Sequence, residues 1–267
     1  METKRLKNIA ILILLLLNAF LLFLLIYQDM QGKRAQQAAV GEMKTLFAAE
    51  GLTITQDSVR PGDALPLLDL ARRAESEAEI AEFLLGTAVE AQSEGGGIYG
   101  YSVEGATVRF RSGGGFDTVR LMRPVEDAEV FMRQFCARFG YEEITGEAVD
   151  GTGKLTAMRY ADGVPVYGCT VAMTFENGVL VGALGAHIDT DDASEAGDEP
   201  LDCMSALVRF FDFRREAGVV CSEIRSVKCV YQLQSTAGSP RLLPVWVVET
   251  DTYTYIVDGV SGAVSRK

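Results

Sequence analysis

His187 is the single histidine of this 267-residue chain, and Cys136, Cys169, Cys203, Cys221 and Cys229 are its five thiols. A catalytic site needs a poised nucleophile, base, acid or metal. His187 sits near the end of the apolar run LVGALGAHI, where a packed ring is expected rather than a base. No H-E-x-x-H, G-x-S-x-G or S-x-x-K occurs, and the Cys and His spacings of zinc sites are missing. A two-carboxylate glycosidase needs only two acids facing a cleft, but most acids here fall in loops or on exposed helix faces. The pattern therefore points away from an enzyme, with no catalytic residue, cofactor or metal ligand to nominate.

Other chemistry-bearing residues read the same way. The glycine clusters at 95–97 and 113–115 lack the Lys-Ser/Thr and helix start of a phosphate cradle, so they are expected to be hairpin loops. The acidic stretch from Asp189 to Asp202 does not place oxygen ligands at the spacing of a calcium loop, and it reads as a solvated connection. The cysteine count is odd and no C-x-x-C is present, so the thiols are expected to be small core residues. Trp246, Tyr253 and Tyr255 lie on strand-like runs, with a core or sheet-face role ahead of carbohydrate stacking.

The elements that position these residues are mostly antiparallel. Residues 32–49 carry Val40, Met43, Leu46 and Phe47 at helical spacing, and Gly51 should end that helix. A strand-like LTITQ and a short apolar run at 65–70 follow. Residues 76–85 read as a helix with Ser76 as N-cap and Glu79 three positions on. Three strands are expected at 98–103, 106–111 and 116–121. A helix at 126–139 should turn Val130, Phe131, Phe135 and Phe139 inward and end at Gly140. Strands at 155–160, 166–175 and 179–187 follow, with Asn177-Gly178 as a strong hairpin turn. The same order recurs: a helix at 200–217 with Leu201, Met204, Leu207, Val208 and Phe211 inward, then strands at 225–234, 245–250 and 252–257. The expected fold class is α+β, with helix-plus-antiparallel-sheet units repeated and packed on one another.

Ile9 to Ile26 reads IAILILLLLNAFLLFLLI, apolar throughout except Asn18. Eighteen residues at about 1.5 Å each reach about 27 Å, close to the hydrocarbon thickness of a bilayer. The run is longer than a signal-peptide core and its exit, YQDMQGKR, has no small-residue cleavage site. A single uncleaved transmembrane helix is expected. Its N-terminal tag holds Lys4, Arg5 and Lys7 against Glu2, and basic flanks stay in the cytoplasm. The expected layout is a cytoplasmic tag at 1–8, an anchor at 9–28, a membrane-proximal α+β domain at 29–123 and a distal α+β domain at 124–267 with two helix-plus-meander units. Localisation follows: a single-pass cell-membrane protein with its bulk extracytoplasmic.

The chain carries 25 Lys and Arg against 37 Asp and Glu, a net charge of −12. No basic stripe is available to neutralise phosphates, which argues against a nucleic-acid partner.

Three segments carry a family likeness: the anchor LLLLNAFLLFLL, the middle GVPVYGCTVAMTFENGVLVGALG and the end LPVWVVETDTYTYIVDGVSGAV. Together they resemble the YycI/YycH family of membrane-anchored accessory regulators of the WalK (YycG) sensor histidine kinase in Gram-positive bacteria, with a YycI-like layout. The last segment also looks like the closing strands of PepSY-type domains, with a second strand ending in Asp258, then Ser261-Gly262 and Val264. The resemblance implies a non-enzymatic regulator. Its transmembrane helix would contact the kinase's helices and those of a sister YycH-like protein, with Asn18 as the partner-helix contact. The alternative is a PepSY-like module that binds or inhibits an extracellular hydrolase in wall remodelling or sporulation. A cell-envelope enzyme with an unrecognised carboxylate site comes third.

Overall fold

The computed structural model describes residues 45–54, 64–235 and 239–267, together with positions 14, 17, 18, 20, 22, 41 and 43. The fold is α+β. Among the described residues, sixteen strands belong to one connected sheet, and each of three helices is followed by four strands in antiparallel order.

The first unit is α2 (Ala74–Leu85) with β3 (Ala91–Gly95), β4 (Ile98–Val103), β5 (Ala106–Arg111) and β6 (Gly115–Val119). The second is α3 (Ala128–Phe139) with β8 (Tyr141–Val149), β9 (Thr152–Ala161), β10 (Val164–Glu176) and β11 (Val179–Ala186). The third is α4 (Cys203–Glu216) with β13 (Glu223–Gln234), β14 (Arg241–Thr250), β15 (Thr254–Asp258) and β16 (Val264–Arg266). Short strands β1 (Thr53–Ile54), β2 (Leu68–Asp69), β7 (Arg123–Pro124) and β12 (Ser194–Glu195) fill in between. The helical stretch α1 (residues 45–49) precedes them all.

Sequence spacing located most of these elements but not their polar edges. β3 and β8 are both edge strands, and nearly all of their residues are exposed. Their sequences, AQSEG and YEEITGEAV, lack the apolar alternation of a half-buried strand because an edge turned to water needs none. Neither stretch is assigned a strand by its sequence spacing. The inward faces of two helices hold as expected except at one valine in each. Val130 and Val208 are exposed, while Met132, Cys136, Cys203, Ala206 and Phe210 are buried. In each helix the buried set repeats at i, i+3 or i+4 and takes in the expected bulky residues, Phe131, Phe135 and Phe139 in one and Leu207 and Phe211 in the other.

Units join in two ways. β6 pairs antiparallel with β11, so the first two meanders form one continuous surface. β10 leaves β9 near Gly168 and pairs in parallel with β13 over two residues, Val166 with Tyr231 and Tyr167 with Gln232. Residues on both sides of position 124 thus share a sheet, and they share a core: one apolar cluster runs from Ile80 to Ala183. Phe83 of α2 places its ring 4.9, 5.5 and 5.7 Å from Phe131, Phe135 and Phe139 of α3. Burying rings of this size stabilises by roughly 1.5–3 kcal/mol each. A second cluster gathers α4, β13, β14 and β15 around Phe210 and Trp246. Phe47 of α1 stacks on Phe211 of α4 at 4.7 Å. The helical stretch α1 therefore docks on the last unit rather than on the first.

The turn at Asn177-Gly178 has φ of 48° and 75°. Positive φ at both positions is what a tight hairpin between twisted strands requires.

Candidate functional site

One group of polar residues, Arg72, Arg73, Ser76, Glu77, His187 and Asp189, gathers around the N-terminus of α2. Glu77 is a buried acid on the inward face of that helix, on the same side as Ile80, Ala81 and Leu84. An acid there must be paired. Arg72 supplies both bonds: its Nε donates to Oε1 at 2.8 Å and its Nη2 to Oε2. The guanidinium also lies 3.3 Å from the centroid of the Tyr99 ring. Tyr101 Oη donates to the Ala74 carbonyl at 3.3 Å and faces Glu77 Oε2 at 3.4 Å. Desolvation holds the Glu77 carboxyl above its ordinary range, and Arg72 only partly offsets it.

The adjacent Arg73 reaches the other way. It meets Asp189 at 3.1 Å, Asp191 at 3.0 Å and Asp192 at 3.5 Å. Ser76 Oγ donates to Asp189 Oδ2 at 2.8 Å, and the Asp191 amide donates to Oδ1 at 3.0 Å. Burial tends to raise the Asp189 carboxyl, yet these donors and the Arg73 charge bring it below its usual range. The start of the acidic stretch is therefore bound to α2 and not merely solvated. Ser76 is not the N-cap of α2: Arg73 holds that position without a side-chain cap bond, and the serine hydroxyl is spent on Asp189.

His187 faces this junction from the end of β11. Its amide donates to the Gly114 carbonyl at 2.9 Å. Gly114 has φ of 86°, and a Cβ there would lie 2.8 Å from the His187 carbonyl oxygen, so the position needs glycine. The imidazole Nδ1 is 3.4 Å from Tyr141 Oη, which donates to the Ala186 carbonyl at 2.7 Å. Desolvation and the neighbouring Arg159 charge push the imidazole down to about 3, with Asp189 opposing. Arg159 itself donates to the carbonyls of Gly140, Tyr160 and Ile188.

Ser76, His187 and Asp189 line one small cavity of about 30 Å³. They do not form a nucleophilic triad. The serine donates straight to the aspartate, and the imidazole contacts Tyr141 instead. An imidazole with a pKa near 3 is also too weak a base to take a serine proton at neutral pH. Typical ligand pockets hold about 300–1,000 Å³, so this volume fits no sugar or peptide substrate. The arrangement acts as a strut, with ion pairs and hydrogen bonds joining α2 to the end of the second meander.

The other sequence-stressed residues lie elsewhere. All five cysteines are free, four of them buried. Burial raises the thiols of Cys136 to about 11 and of Cys169 and Cys203 to about 12, which makes them poor nucleophiles. Trp246 is a core residue whose indole N–H donates to the Leu201 carbonyl at 2.8 Å. Tyr255 is buried, while Tyr253 is exposed beside Arg266. Among the described residues no cluster of His, Cys, Asp and Glu could hold a metal ion.

Asn18 is helical and exposed, as are Leu14, Leu17, Phe20 and Leu22. The rest of the 9–26 segment lies outside the described residues. Among the described residues no helix is long and apolar enough to cross a membrane.

The junction had two signals in the sequence. Glu77 occupies the apolar face of its helix, and the paired Arg72-Arg73 precedes a helix start. Neither names the partner strands, which are distant in the chain.

No family model matches the chain, and no curated protein matches it. Among solved structures it is similar to the Bacillus megaterium YpeB C-terminal domain, at 12% identity over 77% of this chain and 99% of that one, with a TM-score of 0.34.

Proposed function

We propose that this chain is a membrane-anchored, extracytoplasmic binding protein built of PepSY-like units, which holds or inhibits a secreted wall hydrolase. The observation that carries this reading is the threefold succession of one helix and a four-stranded antiparallel meander. The succession is closed by a polar junction with room for structure but none for a substrate. Repeated units present broad sheet surfaces and exposed edges, which suit recognition of another protein. The apolar 9–26 run and the basic tag support tethering with the bulk outside.

A second reading has its own support. Asn18 is exposed on a helix among exposed leucines, and a side-chain amide in lipid gains roughly 0.6–2 kcal/mol by bonding to a neighbouring helix. This favours the YycI-like reading, in which the anchor biases a sensor histidine kinase together with a sister chain.

Crosslinking the full-length protein in its native membrane and identifying the attached chains tests both. Enrichment of a secreted hydrolase supports the first reading. Recovery of a histidine kinase, lost when residues 9–26 are exchanged for an unrelated apolar helix, supports the second. If neither class is enriched over an unrelated anchored control, both readings fail.

A further inference from the structure

The first unit carries six arginines from Arg72 to Arg123. Arg72, Arg73, Arg109 and Arg111 each meet a carboxylate. Arg120 and Arg123 meet none among the described residues, although the chain holds twelve more acids than bases. Both line one open groove of about 360 Å³ at the far end of α2.

Arg123 is half-buried. Its guanidinium lies 5.7 Å from the Phe83 ring and 5.1 Å from the Phe131 ring, and its Nη1 is buried with no hydrogen-bond partner. A desolvated N–H of a charged group without an acceptor is costly. The ring faces return only part of that cost. The groove beside it is mixed, with Leu85, Leu121 and Met122 among its lining residues, and Met122 is 70% exposed. Glu104 is the one acid that lines it.

We propose that this groove docks an extended segment of a partner protein that pairs an acidic side chain with an apolar one. The carboxylate is held by Arg123 and Arg120, and the apolar neighbour covers Met122. Charge complementarity selects the acid, and the exposed methionine selects a peptide over a bare anion. The competing role for Arg123 is local: it lies against Gly86, at the C-terminus of α2, where a cation suits the helix dipole. That role predicts a stability effect and no peptide binding.

The test uses the full-length protein in detergent micelles and a fluorescein-labelled octapeptide of alternating Glu and Leu, read by anisotropy. The peptide is expected to bind, with affinity falling about tenfold or more in Arg123→Met and less in Arg120→Met. A Gln-Leu peptide of the same length should bind at least about tenfold more weakly, and acetate at matched carboxylate concentration should not compete. Met122→Glu places an acid in the groove at an exposed position, so folding is preserved and binding should be lost. That variant decides the matter if Arg123→Met fails to fold. No binding, unchanged binding in Met122→Glu, equal binding of the Gln-Leu peptide, or displacement by acetate would each overturn the proposal. Capture of a hydrolase by a protein that ignores the peptide removes the groove while leaving the proposed function standing.

Discussion

Ser76 and Asp189 are 113 positions apart and share a 2.8 Å hydrogen bond, with the serine hydroxyl donating. The bond ties the first helix to the chain just beyond β11, beside the Arg73–Asp189 ion pair and the β6–β11 pairing that join the same two units. Replacing Ser76 with Ala, Asp189 with Asn, and both together makes a double-mutant cycle in chemical denaturation. The expected coupling is about 0.5–1.5 kcal/mol, toward the lower end because the aspartate is partly open to water. Strict additivity would show that the strut carries no energy.

Acid should loosen the same junction. The imidazole of His187 is held down to about 3 in the folded protein, against about 6.5 in an unfolded chain. Its contribution is full above pH 6.5 and is lost as pH falls from 6.5 toward 3, because the unfolded state takes up the proton first. The slope is on the order of 1.4 kcal/mol per pH unit in that window. Asp189, held below its usual range, adds loss of the same sign at lower pH. Glu77, held above its range, works the other way and gains as it protonates. His187→Gln should flatten the decline between pH 6.5 and 4, measured by urea midpoints at each pH. An unchanged slope would place the acid sensitivity elsewhere.

The Arg72–Glu77 pair offers a different comparison. Glu77→Gln leaves a guanidinium half-paired over Tyr99, and a loss of about 1–3 kcal/mol is expected. Replacing both residues by Met and Leu removes the charges together and should cost clearly less than the single change. Thermal melts of the three proteins decide the order. A double variant worse than the single one would mean that the charges themselves stabilise the junction.

The thiols give a chemical readout of packing. Four are buried and all five are pushed upward by desolvation. In the native protein at pH 8 they should react with an aromatic disulfide reagent at least about tenfold more slowly than in guanidinium. Cys229, the one cysteine that is not fully buried, should be labelled first. Rapid labelling of Cys203 instead would indicate that the third unit opens readily.

Much of the architecture was legible before any coordinates. Asn177-Gly178 between alternating apolar runs marked a hairpin, and Gly140 marked the end of α3, because those backbone angles depend on the local residues alone. The strands β4 and β5 begin and end where alternation places them. The edge strands β3 and β8 were not legible, since exposed strands carry no apolar rhythm. Nor was the full extent of the repetition, because the first unit hides one of its four strands in such an edge.

By itself, the sequence determined an α+β chain of antiparallel meanders and an apolar run ahead of it. Only the tertiary structure decided that Glu77 meets Arg72 on a buried helix face, that Ser76 spends its hydroxyl on Asp189, and that the buried Nη1 of Arg123 has no hydrogen-bond partner among the described residues. The reason is physical. Turn and strand preferences act over a few residues, and the sequence records them directly. Pairing of a buried charge depends on which distant strands the sheet brings alongside, and that is fixed only when β6 pairs with β11 and β10 with β13.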